Sequence, residues 1–181
     1  MNKKTFENCT NKLKIITLIG MMGSGKTKFG SFLSHKLRYE FYDIDSMIEK
    51  KFSKTISEIF KQKSENYFRN EEKKTIYNAI QTIKKKNINS IISLGGGGFD
   101  NLEIQKLLLL NSFVIWLDCP VHTLVKRIGH TKNRPMLKTN IERSLRILLN
   151  KRISYYKKAH LKFDTSNITF SKMADEILNN I

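Results

Sequence analysis

The chain has 181 residues, 40% of them hydrophobic and 10% aromatic, with a formal net charge of +17. That length suits one domain with its own core, and the apolar content excludes a disordered chain, while no apolar run reaches the length of a membrane span. The charge fits a nucleic-acid partner, a cleft that steers anions, or a lysine-rich surface. The last is favoured, because Lys84–Lys86 is the only run of three basic residues and no aromatics interleave with a basic stripe.

Residues 1–13, ending in "FENCTNKL", read as a polar tail without an apolar signal core. Cys9 and Cys119 form no metal spacing and no disulfide framework, so a reducing cytoplasm is expected. "LKIITLIG" is a buried strand running to about Ile19, and "GMMGSGKT" follows it. Gly20, Gly25, Lys26 and Thr27 satisfy G-x-x-x-x-G-K-[ST] between a strand and a helix, the context a phosphate loop requires. Glycines let backbone N–H groups curl around phosphate oxygens, Lys26 brings a charge to the β- and γ-phosphates, and Thr27 offers a hydroxyl to Mg²⁺. A nucleoside triphosphate is therefore expected here.

The spacing predicts a helix over Lys26 to Leu37 with Phe29, Phe32, Leu33 and Leu37 on one face. "YEFYDID" reads as a second strand, with Asp43 and Asp45 on one side of its end, suited to a metal-bound water and a substrate hydroxyl. Solvated turn residues, with Asp45 capping the next helix, are the plain alternative. Ser46 with Glu49, and Thr55 with Glu58, fit the capping-box spacing. A helix over Glu65 to Lys85 brings Arg69 and Glu72 together at i and i+3, so the glutamate can orient the guanidinium fork; alone, this is equally an ordinary surface pair.

"INSIISL" is a third strand ending in four glycines, Gly95 to Gly98. Helical patterns at Leu102 to Leu110, Val121 to Ile128 and Ile141 to Lys157 alternate with strands "SFVIWLD" and "LKFDTS", and a last helix starts near Phe170. Alternating strands and helices predict a parallel sheet covered on both faces. Gly129 to Asn140, "GHTKNRPMLKTN", reads as a lid that would carry Arg134. Arg127 closes the helix before it and Arg152 lies on the helix after it.

In order and separation, "GMMGSGKT", "FYDIDSMIE", "YFRNEE", "SLGGGG", "NRPML" and "NKRISYY" resemble shikimate kinase, over nearly all of residues 14–181. The resemblance implies an α/β, three-layer P-loop kinase fold, a five-stranded parallel sheet in order 2-3-1-4-5, and one domain with a lid near 129–140. It implies transfer of the γ-phosphoryl group of ATP to the 3-hydroxyl of shikimate, with Mg²⁺. Gly23, Ser24, Gly25, Lys26, Thr27 and Lys28 would wrap the ATP phosphates, Arg127 would lie against adenine, and Arg134 would reach the transferring phosphate. Asp45 would bind the acceptor and serve as base, Arg69 and Arg152 would grip its carboxylate, and Glu72 would orient Arg69. Gly95, Gly96 and Gly97 would line the acceptor pocket, with a side chain at Gly96 or Gly97 intruding on the ring. Asp43 would act on Mg²⁺ through water. Met136 stands where the family lid usually has leucine, "DTSNITF" lacks a proline often found there, and Gly98 has no counterpart in the three-glycine pattern.

A kinase of similar fold, such as gluconate kinase, shares the phosphate loop, but the ordered "DID", "FRNEE" and "GGGG" set favours shikimate. A non-catalytic nucleotide module held to RNA by the positive charge would be expected to have lost catalytic positions, and none of the matched ones is lost. A monomer without a nucleic-acid partner is expected.

Overall fold

The structure, a computed structural model, describes residues 14–129 and 141–180. The N-terminal tail and the lid segment with Arg134 and Met136 lie outside the described residues, as does Cys9.

Five strands pair in parallel in the order β2-β3-β1-β4-β5. They are β1 (Ile15–Ile19), β2 (Glu40–Asp43), β3 (Ser90–Ser93), β4 (Phe113–Asp118) and β5 (Leu161–Asp164). The helices are α1 (Lys26–Leu37), α2 (Ile44–Phe52), α3 (Ile56–Gln62), α4 (Glu65–Lys86), α5 (Leu102–Asn111), α6 (Val121–Gly129), α7 (Ile141–Tyr156) and α8 (Phe170–Leu178). Among the described residues no helix is long and apolar enough to cross a membrane.

The central strand β1 is buried along its whole length. Because side chains alternate across a strand, Ile15 and Ile19 enter one core and Ile16 and Leu18 the other. The first core takes Ile76 and Ile80 of α4, Leu108 of α5 and Leu145 of α7. The second takes Phe29 and Leu33 of α1 with Met173 and Ile177 of α8. Each fully buried isoleucine or leucine contributes roughly 1.5–3 kcal/mol relative to exposure. The chain thus leaves β1 through α1 on one face, while the crossovers through α2 to α7 lie on the other. Ligands of open parallel sheets bind beyond the strand carboxyl ends near such a divergence.

Three local expectations are corrected. Phe32 is not on the buried face of α1; it is 37% exposed and lies beside Phe170, ring centroids 5.7 Å apart. It sits on the flank of the apolar stripe, where α8 covers only part of it. Strand β2 also ends at Asp43, two residues earlier than the apolar pattern implies. Asp43 is itself the N-cap of α2, its Oδ1 accepting from the backbone N–H of Ser46 at 3.0 Å. The Ser46–Glu49 capping box is therefore absent, and Glu49 accepts instead from the N–H of Ile56 at 3.0 Å. The Thr55–Glu58 box at α3 forms as expected.

Candidate active site

The loop after β1 takes its shape from three glycines at positive φ: Gly20 at 139°, Gly23 at 79° and Gly25 at 99°. At Gly20 there is also no room, since a Cβ would stand 2.4 Å from the carbonyl oxygen of Leu117. The buried Lys26 side chain folds back over the loop, its Nζ donating to the carbonyls of Gly20 at 2.9 Å and Met21 at 3.0 Å. Ser24 Oγ is buried and has no hydrogen-bond partner among the described residues. Thr27 and Lys28 lie exposed in the first turn of α1.

Thr27 Oγ1 donates to Asp43 Oδ2 at 2.7 Å, joining the loop to the end of β2. A hydroxyl and a carboxylate are hard oxygen donors, and Mg²⁺ is commonly held by one or two such groups together with phosphates and water. The donor set fits that ion. Among the described residues no cluster of three or more His, Cys, Asp or Glu stands ready for a metal.

Asp43 and Asp45 are not two residues of one strand face, as the sequence implied: the first caps α2 and the second lies in its first turn. The helix nevertheless turns Asp45 towards the glycine segment after β3. Asp45 Oδ1 lies 2.6 Å, and Glu72 Oε1 2.8 Å, from the point where a Cβ on Gly95 would stand.

Glu72 is 2% exposed and accepts from Arg69 Nη1 at 2.7 Å. Burial pushes its carboxyl up from the ordinary value, and the Arg69 guanidinium pulls it back only in part. Arg69 lies over the Phe68 ring, and its Nη2 also meets the exposed Glu65 at 3.2 Å. Across the cavity, Arg152 of α7 is 8% exposed and donates from Nε to Asp100 Oδ2 at 2.9 Å. Arg152 Nη1 is buried without a hydrogen-bond partner among the described residues. A cavity of about 280 Å³ is lined by Arg69, Glu72, Gly97, Gly98, Asp100 and Arg152. Asp45 and Lys26 stand outside that lining, on the side of the phosphate loop.

Gly95, Gly97 and Gly98 answer to crowding and not to an unusual backbone, since none of Gly95 to Gly98 has positive φ. A Cβ on Gly97 would lie 2.6 Å from Arg69 Nη2 and 2.7 Å from Arg152 Nη2, so the two guanidinium groups converge on this one residue. Gly98 acquires a reason that its sequence context lacked: a Cβ there would stand 3.0 Å from Glu72 Oε1. Gly96 is the least crowded, its nearest atoms at 3.4 Å. The expected intrusion of a side chain at Gly96 or Gly97 concerns the bound ring; the protein's own atoms leave more room at Gly96 than at Gly97. Gly97→Ala is expected to raise KM for the acceptor about tenfold, through displaced arginines, with KM for ATP unchanged. Gly96→Ala should leave the arginines in place and so cost less than Gly97→Ala, and equal effects of the two in steady-state kinetics would refute the spatial explanation.

Two participants escaped the sequence reading. Asp100 follows the glycines and is tied down by its N–H bond to the carbonyl of Gly97 at 3.1 Å. Tyr156, fully buried on α7, donates its hydroxyl to the carbonyl of Gly96, and its ring lies 5.8 Å from that of Trp116. Burial drives its phenol well above the ordinary value, which keeps it a donor. The only available signal was the position of each within a recognisable segment.

Arg127 reaches from α6 to the segment after β5. Its Nη2 donates to the carbonyl of Thr165 at 3.0 Å, and its Nη1 lies 3.5 Å from the carbonyl of Gly23. Of the expected site residues, Arg134 alone lies outside the described residues.

The chain and its fold have counterparts in known proteins. The family model described as shikimate kinase matches residues 22–181. A shikimate kinase of Bacillus licheniformis is 40% identical over 172 residues, covering 94% of this chain and 95% of the relative. One from a Sulfurihydrogenibium species is 38% identical, covering 93% and 98%. The solved structure of shikimate kinase from Acinetobacter baumannii in complex with shikimate superposes with a TM-score of 0.84 at 32% identity, covering 93% of each chain.

Proposed function

The chain belongs to the shikimate kinase family, and from that premise we propose a division of labour among the residues that meet at the carboxyl ends of its strands. The reaction transfers the γ-phosphoryl group of ATP to the 3-hydroxyl of shikimate, giving shikimate 3-phosphate and ADP on the route to chorismate and the aromatic amino acids. The observation that carries the acceptor assignment is the convergence of Arg69 and Arg152 on Gly97. Two guanidinium groups aimed at one point suit a carboxylate, which accepts a donor on each oxygen.

In this reading Arg69 and Arg152 fix shikimate by its carboxylate, with Glu72 orienting Arg69. Gly95, Gly96 and Gly97 line the ring. Asp45 receives the 3-hydroxyl and takes its proton as the oxygen attacks phosphorus. Gly23, Ser24, Gly25, Lys26, Thr27 and Lys28 wrap the ATP phosphates, and Arg127 lies against adenine. Thr27 and Asp43, the latter through water as the resemblance implies, would hold Mg²⁺, which would neutralise phosphate charge. Arg134, outside the described residues, is assigned to the transferring phosphate by the resemblance, and a lid near 129–140 would exclude water as a competing acceptor. Positioning and charge stabilisation dominate such a transfer, because the protein makes and breaks no covalent bond of its own.

A monomeric cytoplasmic enzyme without a nucleic-acid partner completes the proposed reading. ADP release should depend on shikimate and be near background without acceptor or with gluconate. Arg69→Ala is expected to raise KM for shikimate roughly a hundredfold, the scale of a lost charged hydrogen bond, with KM for ATP little altered. An unaltered KM for shikimate in a coupled assay would refute the carboxylate assignment.

A further inference from the structure

We propose that Asp100 is a positioning residue for the acceptor carboxylate: it holds Arg152 by Nε, so that the terminal guanidinium nitrogens face the pocket. The proposal rests on the reading of Arg152 as a carboxylate ligand. A guanidinium presents five donors in a rigid plane, so fixing one N–H fixes the direction of the rest. Here the Nε bond to Asp100 Oδ2 is 2.9 Å long, Nη1 is buried without a partner among the described residues, and Nη2 points at Gly97. Arg69 repeats the arrangement, with Nη1 held by Glu72 at 2.7 Å and Nη2 directed at the same glycine. Each arginine thus has its own anion on one edge and converging donors on the other.

Asp100 is itself anchored. Its N–H bonds to Gly97, and Asn101 after it caps α5, accepting from Glu103 at 3.0 Å and Ile104 at 3.1 Å. The carboxylate therefore sits on a fixed turn whose first residue is the glycine on which both arginines converge. Without it, Arg152 would reach the pocket from α7 on a side chain with several free torsions. Two like charges would also share a small, partly desolvated space, with Glu72 and the exposed Glu65 both engaged by Arg69 and no carboxylate bonded to Arg152. An Asp100 that merely offset charge would have the opposite signature, since its removal would then strengthen anion binding.

Steady-state kinetics of the full chain with shikimate and with its methyl ester, which masks the carboxylate, separate these cases. Asp100→Ala is expected to raise KM for shikimate about tenfold, with kcat within about twofold and KM for ATP unchanged. The preference for acid over ester should narrow by the same factor. Asp100→Asn, which keeps an acceptor for Nε without the charge, should recover most of the loss. Asp100→Ser carries the same expectation as Asp100→Ala should the alanine variant not fold. An unchanged or lowered KM, an equal loss on acid and ester, or an Asn variant as poor as Ala overturns the proposal. Arg152→Lys should also lose the acid preference. If it keeps that preference, the assignment of Arg152 fails; if it loses it while Asp100→Ala does not, the failure is that of Asp100 alone.

Discussion

Lys26→Ala is expected to lower kcat about a thousandfold, the scale seen when a preorganised donor to a charged transition state is removed. The ammonium group is buried, held by the carbonyls of Gly20 and Met21 at 2.9 and 3.0 Å, and so already stands over the loop that receives phosphates. Phosphoryl transfer spreads charge over oxygens that the protein can only stabilise. A fixed cation is worth more there than in water, because the surrounding dipoles need not reorganise. Lys26→Met keeps most of the apolar stem and controls for lost packing. Each variant also leaves the carbonyls of Gly20 and Met21 without the Nζ donor, so a modest fall in melting temperature is expected and is measured beside the rate. Near-normal turnover in either one, in a coupled ADP assay with saturating shikimate, would remove Lys26 from the chemistry.

Asp45→Asn should lower kcat by a factor of about 10² to 10⁴, the range for losing a general base, with ATP affinity nearly intact. Asparagine preserves the shape beside Gly95, where Asp45 Oδ1 stands 2.6 Å from the missing Cβ, so a fall in rate reports lost basicity and not lost fit. The comparison with Asp43 is instructive. Asp43 caps α2 and accepts from Thr27, so its substitution would combine a structural cost of about 1 kcal/mol with any effect on the metal. Asp45 does not serve as that cap. Single-turnover measurement of shikimate 3-phosphate formation is the decisive readout, and an unchanged rate of transfer would dismiss Asp45 as base.

The sheet was legible because its strands are short apolar bursts. Ile15 to Ile19 and Phe113 to Asp118 alternate between two cores, and the periodicity survives in a one-dimensional string. The phosphate loop was legible because its chemistry is local, all within eight residues. Ends were less legible. Asp43 stops β2 by turning its side chain onto Ser46, a choice between capping and strand that composition does not decide. Phe32 looked like core because periodicity does not say how far the neighbouring helix reaches. Of the acceptor site, Arg69 and Glu72 were visible as helical neighbours, but the bond between Asp100 and Arg152 spans 52 residues of chain, and only the fold brings them together. The crowding around Gly98 was invisible for the same reason, since the carboxylate that crowds a Cβ there belongs to α4.

The glycine turn has a consequence for inhibition and resistance. Every missense change at Gly95, Gly97 or Gly98 adds at least a Cβ. It would meet Asp45 and Glu72 at the first, both arginines at the second, and Glu72 at the third, all within 3.0 Å. An inhibitor resting on Gly97 would therefore touch a wall that mutation cannot thicken without displacing the guanidinium groups the natural acceptor needs. Escape through this turn would weaken drug and substrate together. Gly96, with its nearest atoms at 3.4 Å, is the one position of the four where the protein's own atoms leave room for a small side chain. A compound meant to outlast selection should lean on Gly97 and leave Gly96 untouched.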